Sequence, residues 1–257
     1  MKNLRILSLN IRDSGSRKEF LSRTDAITEL VKSTDPDLIG VQELMDYMPE
    51  ALPWLTETYG FYGKKRNSFT ADERCCVLYR KERFRLLDGK TFWLSKTPEV
   101  PGSRYPLSVF PRIVTIACME DREDGSRFTF ANTHLDHLLP DSRLRQCRVL
   151  SSLLHEHRSG SFLILTGDFN STAADPGARI LLEDPDLHLR NIADPDARSS
   201  IKNLIQSAAS HYRPIDLIMA SDHLETVNAH LCSSMYCGKY PSDHMPLSAE
   251  LSIPESD

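Results

Sequence analysis

Apolar and polar positions along the chain follow two different periods, and segments of the two kinds alternate. Apolar runs of the length and spacing of a strand occupy Leu4–Asn10, Asp37–Glu43 and Phe162–Thr166. Apolar positions spaced three or four residues apart predict helices over Lys18–Lys32 and Ser142–His157. The pattern therefore predicts a chain that mixes strands with helices from its first residues onward.

Further strands are predicted between these segments and near the end of the chain, whereas 170–211 has little pattern and is predicted to be mostly loop. The added elements are strands at Cys75–Tyr79, Arg85–Leu94, Ile113–Met119, Arg127–His134, Ile215–Ala220, Val227–Leu231 and Leu247–Ile253, and a short helix at Glu50–Tyr59, interrupted by Pro53. Strands outnumber helices, which favours an α/β sandwich of mixed sheets with outer helices. No linker-like stretch divides the chain, so residues 1–257 are predicted to form a single domain.

Charge and cysteine content narrow the class of protein. The 257 residues carry a formal net charge of −5, which argues against tight non-specific binding of duplex DNA, because such binding needs many Lys and Arg contacts to phosphates. The six cysteines form no C-x-x-C pair and do not indicate a disulfide framework. Neither a run of ~20 apolar residues nor a secretion signal is present. We expect a cytoplasmic monomer without membrane association or an obligate protein partner.

Polar side chains able to bind a metal ion or a phosphate stand where predicted strands end or begin. These residues are Asn10, Glu43, His134, Asp168, Asn170, Asp216, Asp243 and His244. Because the ends of parallel strands and the starts of their antiparallel neighbours share one edge of a sheet, six chain segments are predicted to converge there.

Each of these residues has an ordinary interpretation when taken alone. A polar residue after a buried strand is commonly a turn former, a lone carboxylate is commonly solvated, and a lone histidine is commonly structural. Glu43 differs because Glu is not a turn residue, and Asp168 and Asn170 point the same way on an extended segment. The whole set is rich in oxygen donors, with two histidines and no thiolate. It therefore favours Mg²⁺ or Mn²⁺ over a structural zinc ion.

Six sequence blocks carry a resemblance to a known family. The blocks are, in order, LSLNIR, IGVQEL, NTHLDH, LTGDFNS, PIDLIMAS and PSDHMPL. From about Leu4 to Leu251 the chain resembles the endonuclease/exonuclease/phosphatase superfamily of metal-dependent phosphoesterases. FWLSKTP, Pro111-Arg112 and NTHLDH most resemble a bacterial single-domain branch distantly related to the nocturnin-type deadenylases. The resemblance implies a four-layer αββα sandwich like that of pancreatic deoxyribonuclease.

The resemblance also implies a metal site. Glu43 is expected to be the principal ligand of Mg²⁺ or Mn²⁺, and Asn10 and Asp243 are expected to complete the shell, directly or through water. Arg112 is a candidate phosphate ligand because a guanidinium can bind two phosphate oxygens at once, although a surface arginine on a strand is the alternative.

The remaining residues receive catalytic roles from the resemblance. Asp168 is expected to orient or deprotonate the attacking water, and Asn170 to hold water or a phosphate oxygen. His244 is expected to contact the phosphate or act as a base, with its ring fixed by Asp216. His134 is expected to donate to a non-bridging oxygen or act as a general acid. Which of Asp168, His134 and His244 moves the proton stays open.

Alternatives remain at several points. Asp136 and His137 either form a second polar shell or belong to the loop before a helix. Together with His134, these two residues also match half of the zinc signature of the metallo-β-lactamases, in which Asn132 stands in the place of the first histidine. A catalytically silent binding module of the same fold is a further alternative. The expected substrate is a single-stranded nucleic acid, a nucleotide or a small phosphorylated metabolite. The loop aromatics with which a base could stack are Phe69, Trp93, Tyr105 and Phe110, although for Trp93 a place beside Phe92 in the core or its cover is the favoured alternative.

Overall fold

Two mixed six-stranded sheets form the centre of the molecule in the computed structural model, which describes residues 2–67, 72–193 and 214–254. The first sheet has the order β11-β12-β1-β2-β4-β3, with β1 Lys2–Asn10, β2 Leu38–Leu44, β3 Tyr59–Tyr62, β4 Arg74–Arg80, β11 Glu225–Leu231 and β12 Leu247–Ile253. The second has the order β5-β6-β7-β8-β10-β9, with β5 Phe84–Trp93, β6 Ile113–Asp121, β7 Arg127–His134, β8 Leu163–Asp168, β9 Leu189–Ile192 and β10 Asp216–Ser221.

Helices cover the outer face of each sheet. On the first sheet lie α1 Arg17–Leu21, α2 Thr24–Thr34, a one-turn 3-10 helix at Pro49–Ala51 and α3 Pro53–Glu57; on the second lie α4 Pro140–His157 and α5 Pro176–Leu182. These layers confirm the predicted αββα sandwich. Within the described ranges, no helix combines the length and the apolar character that crossing a bilayer requires.

Three apolar cores hold the layers together. The core between the sheets includes Leu4 and Ile6 from β1, Phe128 and Phe130 from β7, and Ile218 from β10, all essentially without solvent exposure. The other two cores lie between each sheet and its own helices. Burial of each large apolar side chain contributes roughly 1.5–3 kcal/mol, so these cores are the main stabilising contribution to the sandwich.

The strand register brings the predicted polar positions to one edge. β1 runs parallel to β2, with Asn10 opposite Gln42, and antiparallel β12 begins opposite the last residues of β1. In the other sheet, parallel strands β7 and β8 place His134 opposite Asp168, and antiparallel β10 places Asp216 opposite the same Asp168. The predicted convergence of strand ends is therefore confirmed.

The helix predicted over Lys18–Lys32 is instead two helices, α1 and α2. The break occurs at Arg23, whose side chain is buried and donates from Nη1 to the backbone carbonyls of Ile11 and Pro241. A guanidinium is buried only when its donors are satisfied, and here those acceptors lie on distant segments of the chain. The apolar spacing of the segment contains no information about them.

The region predicted to be mostly loop contains regular structure. α5 and β9 both lie within 170–193, and β3 was also not predicted. β3 and β9 have four residues each, which is too short for a period to be recognised. The rest of that region, 194–213, lies outside the described residues.

A buried side-chain amide joins the two sheets directly behind the edge where the polar residues meet. Asn132 Nδ2 donates to the carbonyls of Val41 and Cys76, each at 2.8 Å, while Asn132 Oδ1 accepts from Gln42 Nε2 at 2.7 Å and from Thr166 Oγ1 at 3.1 Å. These bonds reach from β7 to strands of the other sheet and to β8. They hold the sheets in one relative position, as apolar contacts alone do not, because hydrogen bonds are directional.

Substituting Asn132 with Ala is expected to lower the free energy of unfolding by about 2–4 kcal/mol, because it leaves buried donors and acceptors without partners. Urea unfolding monitored by circular dichroism measures the change. Asn3→Ala is the matched control, since Asn3 is exposed on β1 and bonds only Glu250 among the contacts seen, so it should change stability by about 0.5 kcal/mol or less. Equal urea midpoints for Asn132→Ala and the wild type would contradict the role given to this amide.

Candidate active site

The edge where the two sheets meet brings together an amide, two carboxylates and a histidine. Asn10 Nδ2 lies 2.9 Å from Glu43 Oε1 and 3.1 Å from Asp168 Oδ2, so this one amide contacts carboxylates of both sheets. His134 Nε2 lies 3.5 Å from the same Asp168 oxygen. Four predicted site residues from four different strands or strand ends are therefore in contact or close to it.

A histidine–aspartate pair completes this group. His244 Nδ1 lies 2.8 Å and 3.0 Å from the two carboxylate oxygens of Asp216, to which it donates. This bond assigns the hydrogen to Nδ1 and fixes the plane of the ring. His244 Nε2 lies 3.8 Å from Asp168 Oδ2, which places the ring beside the shared carboxylate. The predicted positioning of His244 by Asp216 has the required geometry.

The backbone adopts uncommon conformations at this site. Glu43 has φ of 62°, where β2 slips its register against β4, and Asn170 has φ of 49° in the turn after β8. In that turn the Asn170 N–H donates to Asp168 Oδ1 at 2.9 Å, and its side-chain Nδ2 donates to the carbonyl of Leu135 at 3.0 Å. A left-handed conformation costs non-glycine residues on the order of 1 kcal/mol each. Strained backbone conformations of this kind concentrate at functional sites, where they hold a side chain in the direction that the site requires.

Burial and neighbouring charges drive the pKa values of the site groups in opposite directions. Burial, with the charge of Asp216, raises the pKa of Asp168 to about 6. Burial opposes the charged form of His244, but Asp216 and Asp168 together raise its pKa to about 10. Burial and the charge of Arg112 lower the pKa of His134 well below its usual value. One histidine is therefore cationic at neutral pH and the other is neutral.

The structure adds a residue that the sequence pattern did not single out. Glu73 is only 7% exposed, and its Oε1 lies 3.5 Å from His134 Nδ1 and 3.6 Å from Arg112 Nη1. Arg66 Nη1 forms an ion pair with the same oxygen. Burial raises the pKa of Glu73 to about 7. The signal available in the sequence was a carboxylate just before the strand Cys75–Tyr79, the same signal that identified Asp216.

Arg112 is a buried residue, so its alternative interpretation as a surface strand arginine is wrong. It is 5% exposed, and its Nη2 lies 3.0 Å from His137 Nδ1. Asp136 Oδ1 accepts the backbone N–H groups of Leu138 and Leu139, each at 2.9 Å, and so shapes the loop that enters α4. The loop interpretation of Asp136 therefore has the better support, and the phosphate-binding role of Arg112 stays a prediction.

Asp243 lies at the margin of the site. Its Oδ2 is 3.4 Å from Arg12 Nε, and its carboxylate is 39% exposed. It belongs to neither of the two clusters of close ligand atoms at the site, Glu43–His134–Asp168 and Asp168–Asp216–His244. Its predicted share in the metal shell stays a prediction.

The donor set fits a hard divalent cation. Within each of the two clusters, the ligand atoms lie within 4.8 Å of one another. They are carboxylate oxygens and imidazole nitrogens without a thiolate, a set typical of Mg²⁺ or Mn²⁺ rather than structural zinc. In the described part of the chain, no such cluster contains Asp136 or His137, which leaves the metallo-β-lactamase alternative without support.

The loop aromatics differ in their exposure. Trp93 and Tyr105 are buried, so the structure contradicts the idea that they stack with a base. Phe110 is exposed beside the site, where its ring stacks with that of His137 at a centroid distance of 6.1 Å. Phe69 lies outside the described residues.

In the metal-free protein, Asp216→Asn is expected to lower the pKa of His244 toward 6.5, because the nearest anion is lost. Histidine ¹H–¹⁵N NMR in EDTA measures the shift, with Asp222→Asn as the exposed control. Because folding raises the pKa of His244, the protonated ring stabilises the folded state. This contribution to the free energy of unfolding is complete below pH 6.5 and is lost as the pH rises toward 10. A wild-type His244 that is neutral at pH 8 would contradict the assignment.

Comparisons with known proteins agree with this fold and site. Residues 7–244 match the family model described as the endonuclease/exonuclease/phosphatase family. An endonuclease/exonuclease/phosphatase from Bacteroides vulgatus has 24% identity and a TM-score of 0.86, covering 99% of this chain and 100% of its own. A Bacteroides thetaiotaomicron mannosyl-6-phosphatase has 24% identity and a TM-score of 0.81, covering 97% of this chain and 100% of its own. The human nocturnin catalytic domain has 20% identity and a TM-score of 0.74, covering 97% of this chain and 94% of its own.

A sequence search of curated proteins found no match. At identities below 25%, the structural similarities establish the shared fold, while the family model covers nearly the whole chain. The predicted enzyme class is thereby confirmed. The chain belongs to the endonuclease/exonuclease/phosphatase family of phosphoester hydrolases.

Proposed function

We propose that this protein is a Mg²⁺- or Mn²⁺-dependent hydrolase in which water attacks the phosphorus of a phosphomonoester or phosphodiester. One observation carries the proposal: Glu43 reaches Asp168 through the Asn10 amide, and the rings of His134 and His244 lie beside the same Asp168 oxygen. The related folds include a protein described as a mannosyl-6-phosphatase, which supports phosphate-ester chemistry on this scaffold.

Glu43 would hold the metal ion, with Asn10 and Asp243 completing its shell. When bound, the ion supplies Lewis-acid stabilisation of charge on the phosphoryl and leaving-group oxygens. Asn10 contributes orientation, because its amide lies within hydrogen-bond distance of both Glu43 and Asp168. The backbone N–H of Asp13, 2.6 Å from the second Glu43 oxygen, holds the carboxylate in place from the other side.

Asp168 would orient the attacking water and accept its proton. With a pKa of about 6 it is mostly ionised at neutral pH yet basic enough to take up a proton, the range that general bases use. The Asn170 N–H keeps the carboxylate aligned. The cationic ring of His244, oriented by Asp216, would donate from Nε2 to a phosphate oxygen.

His134 would act as a neutral donor beside Asp168. Glu73 Oε1 lies 3.5 Å from His134 Nδ1, and a protonated Glu73 carboxyl would leave the ring hydrogen on Nε2, from which the ring would donate to a non-bridging oxygen. The pKa of Glu73 of about 7 keeps this form populated at neutral pH. Arg112 would bind a further phosphate oxygen through its guanidinium.

Asp168→Asn is expected to reduce hydrolysis by about 10³-fold, because the base is lost while the shape of the side chain is kept. The assay uses oligo(A) RNA, single-stranded DNA, nucleotides and sugar phosphates with Mg²⁺, Mn²⁺ or EDTA. Asp184→Asn is the matched control, since Asp184 contacts His155 on a different surface. Full activity of Asp168→Asn or activity in EDTA would contradict the mechanism, and inactivity of the wild type on every substrate would favour the silent binding module.

Glu43→Gln is expected to abolish the stabilisation that Mg²⁺ provides. At about 100 times its Kd, a ligand of the folded state adds roughly 2.7 kcal/mol, which raises the Tm by about 5–10 °C. Thermal unfolding with and without Mg²⁺ measures this effect without any turnover. Glu250→Gln, on the exposed side of β12, should retain the Mg²⁺ effect. An unchanged Mg²⁺ effect in Glu43→Gln would place the metal elsewhere.

A further inference from the structure

A groove of about 560 Å³ adjoins the candidate active site. Its walls come from four loops, namely those after β1 and after β2, the loop between β3 and β4 and the loop between β5 and β6. The side chains that matter for recognition are those of Asp13, Arg66, Asp72, Arg104 and Phe110. None of these side chains belongs to the catalytic set proposed above, and only the backbone N–H of Asp13 takes part there, by holding Glu43.

Two residues that line the groove contact residues of the candidate active site. The backbone N–H of Asp13 donates to Glu43 Oε2 at 2.6 Å. On the other wall Arg66 forms an ion pair with Glu73, which lies against His134. A phosphate bound between Glu43 and His134 would therefore direct its ester substituent toward this groove.

The charges in the groove favour a neutral substituent. Among the described lining residues, the negative charges of Asp13 and Asp72 equal in number the positive charges of Arg66 and Arg104. Arg66 is moreover paired, with its Nε 2.7 Å from Asp72 Oδ1. A single-stranded nucleic acid requires a continuous run of cations for its successive phosphates, and this groove does not offer one.

Phe110 provides a firmly held apolar surface within this polar groove. Its side chain is 42% exposed, although the Arg66 guanidinium lies over the ring at 4.6 Å from the centroid and the ring of His137 stacks with it at 6.1 Å. Arg104 Nη1 donates to the neighbouring carbonyl of Val109, which keeps that guanidinium at the groove wall. A flat apolar surface flanked by carboxylate acceptors and guanidinium donors matches a sugar ring, whose C–H groups pack and whose hydroxyls both donate and accept.

We propose that this groove binds the sugar ring of a hexose phosphomonoester that carries no nucleobase, with Phe110 packing against the ring and Asp13 and Arg104 bonding its hydroxyls. The inference rests on the proposed hydrolase function, which it makes more specific. The reaction is sugar–O–PO₃²⁻ + H₂O → sugar–OH + HPO₄²⁻. The P–O bond to the sugar breaks, a bond from phosphorus to the water oxygen forms, and a proton is transferred to the sugar oxygen.

The first test compares kcat/KM for hexose 6-phosphates (glucose, mannose and galactose), AMP, oligo(A) and p-nitrophenyl phosphate. Phe110→Ala and Arg104→Ala are expected to lower kcat/KM for the preferred hexose 6-phosphate about tenfold, mainly through KM, and more than for p-nitrophenyl phosphate. Phe61→Ala is the matched control because Phe61, on β3, is also 42% exposed, and exposed Arg179→Ala is the control for Arg104.

The second test measures binding without turnover. Calorimetric titration of Asp168→Asn protein with the same hexose 6-phosphates is expected to show a Kd about tenfold weaker when Phe110 or Arg104 is also changed to Ala. Groove-dependent binding without any hydrolysis by the wild type would overturn the proposed catalysis but keep the sugar subsite. A higher kcat/KM for AMP or oligo(A) than for every hexose phosphate would overturn the sugar subsite. The sugar subsite would also be overturned if Phe110→Ala and Arg104→Ala lowered kcat/KM equally for p-nitrophenyl phosphate and for the hexose phosphates. Either of these two results would leave the proposed hydrolase function intact.

Discussion

The side-chain amide of Asn132 is the interaction on which the arrangement of this molecule depends. The Asn132 amide is bonded to Gln42 of the opposite sheet and to Thr166 of its own sheet, so it is held on both sides of the gap between the sheets. The sheets are so close there that a Cβ at Gly40 would lie 1.9 Å from Thr166 Oγ1, so no larger residue fits. Glu43 directly follows Gln42 in the chain. His134 follows two residues after Asn132, and Asp168 follows two residues after Thr166. A shift of one sheet against the other would therefore separate Glu43 from Asp168, the carboxylates proposed to hold the metal ion and to activate water.

Burial at the edge of the sheets turns ordinary side chains into a reactive set. Asp168 and Asp216 repel each other where water is scarce, and the ring of His244 offsets that repulsion by remaining charged. On the other side the neutral ring of His134 lies against Glu73, whose pKa is raised by its own burial. Two histidines in one site thus receive different protonation states from their surroundings, His244 from two carboxylates and His134 from burial and the charge of Arg112, rather than from any property of histidine itself.

Chemistry and selection come from different parts of the fold. The groups proposed for catalysis stand at strand ends, where ladder hydrogen bonds fix the backbone, whereas the proposed sugar groove is built by four loops. Such a division allows one metal-binding edge to serve different phosphate esters as the loops change. In this chain the loop residues Arg104 and Phe110 would determine which leaving group is accepted.

The sequence alone determined the strands other than β3 and β9, the long helix α4 and the polar residues at the strand ends, because periodicity and the polar ending of an apolar run are local properties. Tertiary structure alone decided the break at Arg23 and the burial of Arg112, since the partners of both residues come from segments distant in sequence. The same holds for Glu73, which resembles a solvated charge until β4 places it against His134. Charge state, too, was decided by the fold, because desolvation exists only once the layers have closed around these groups.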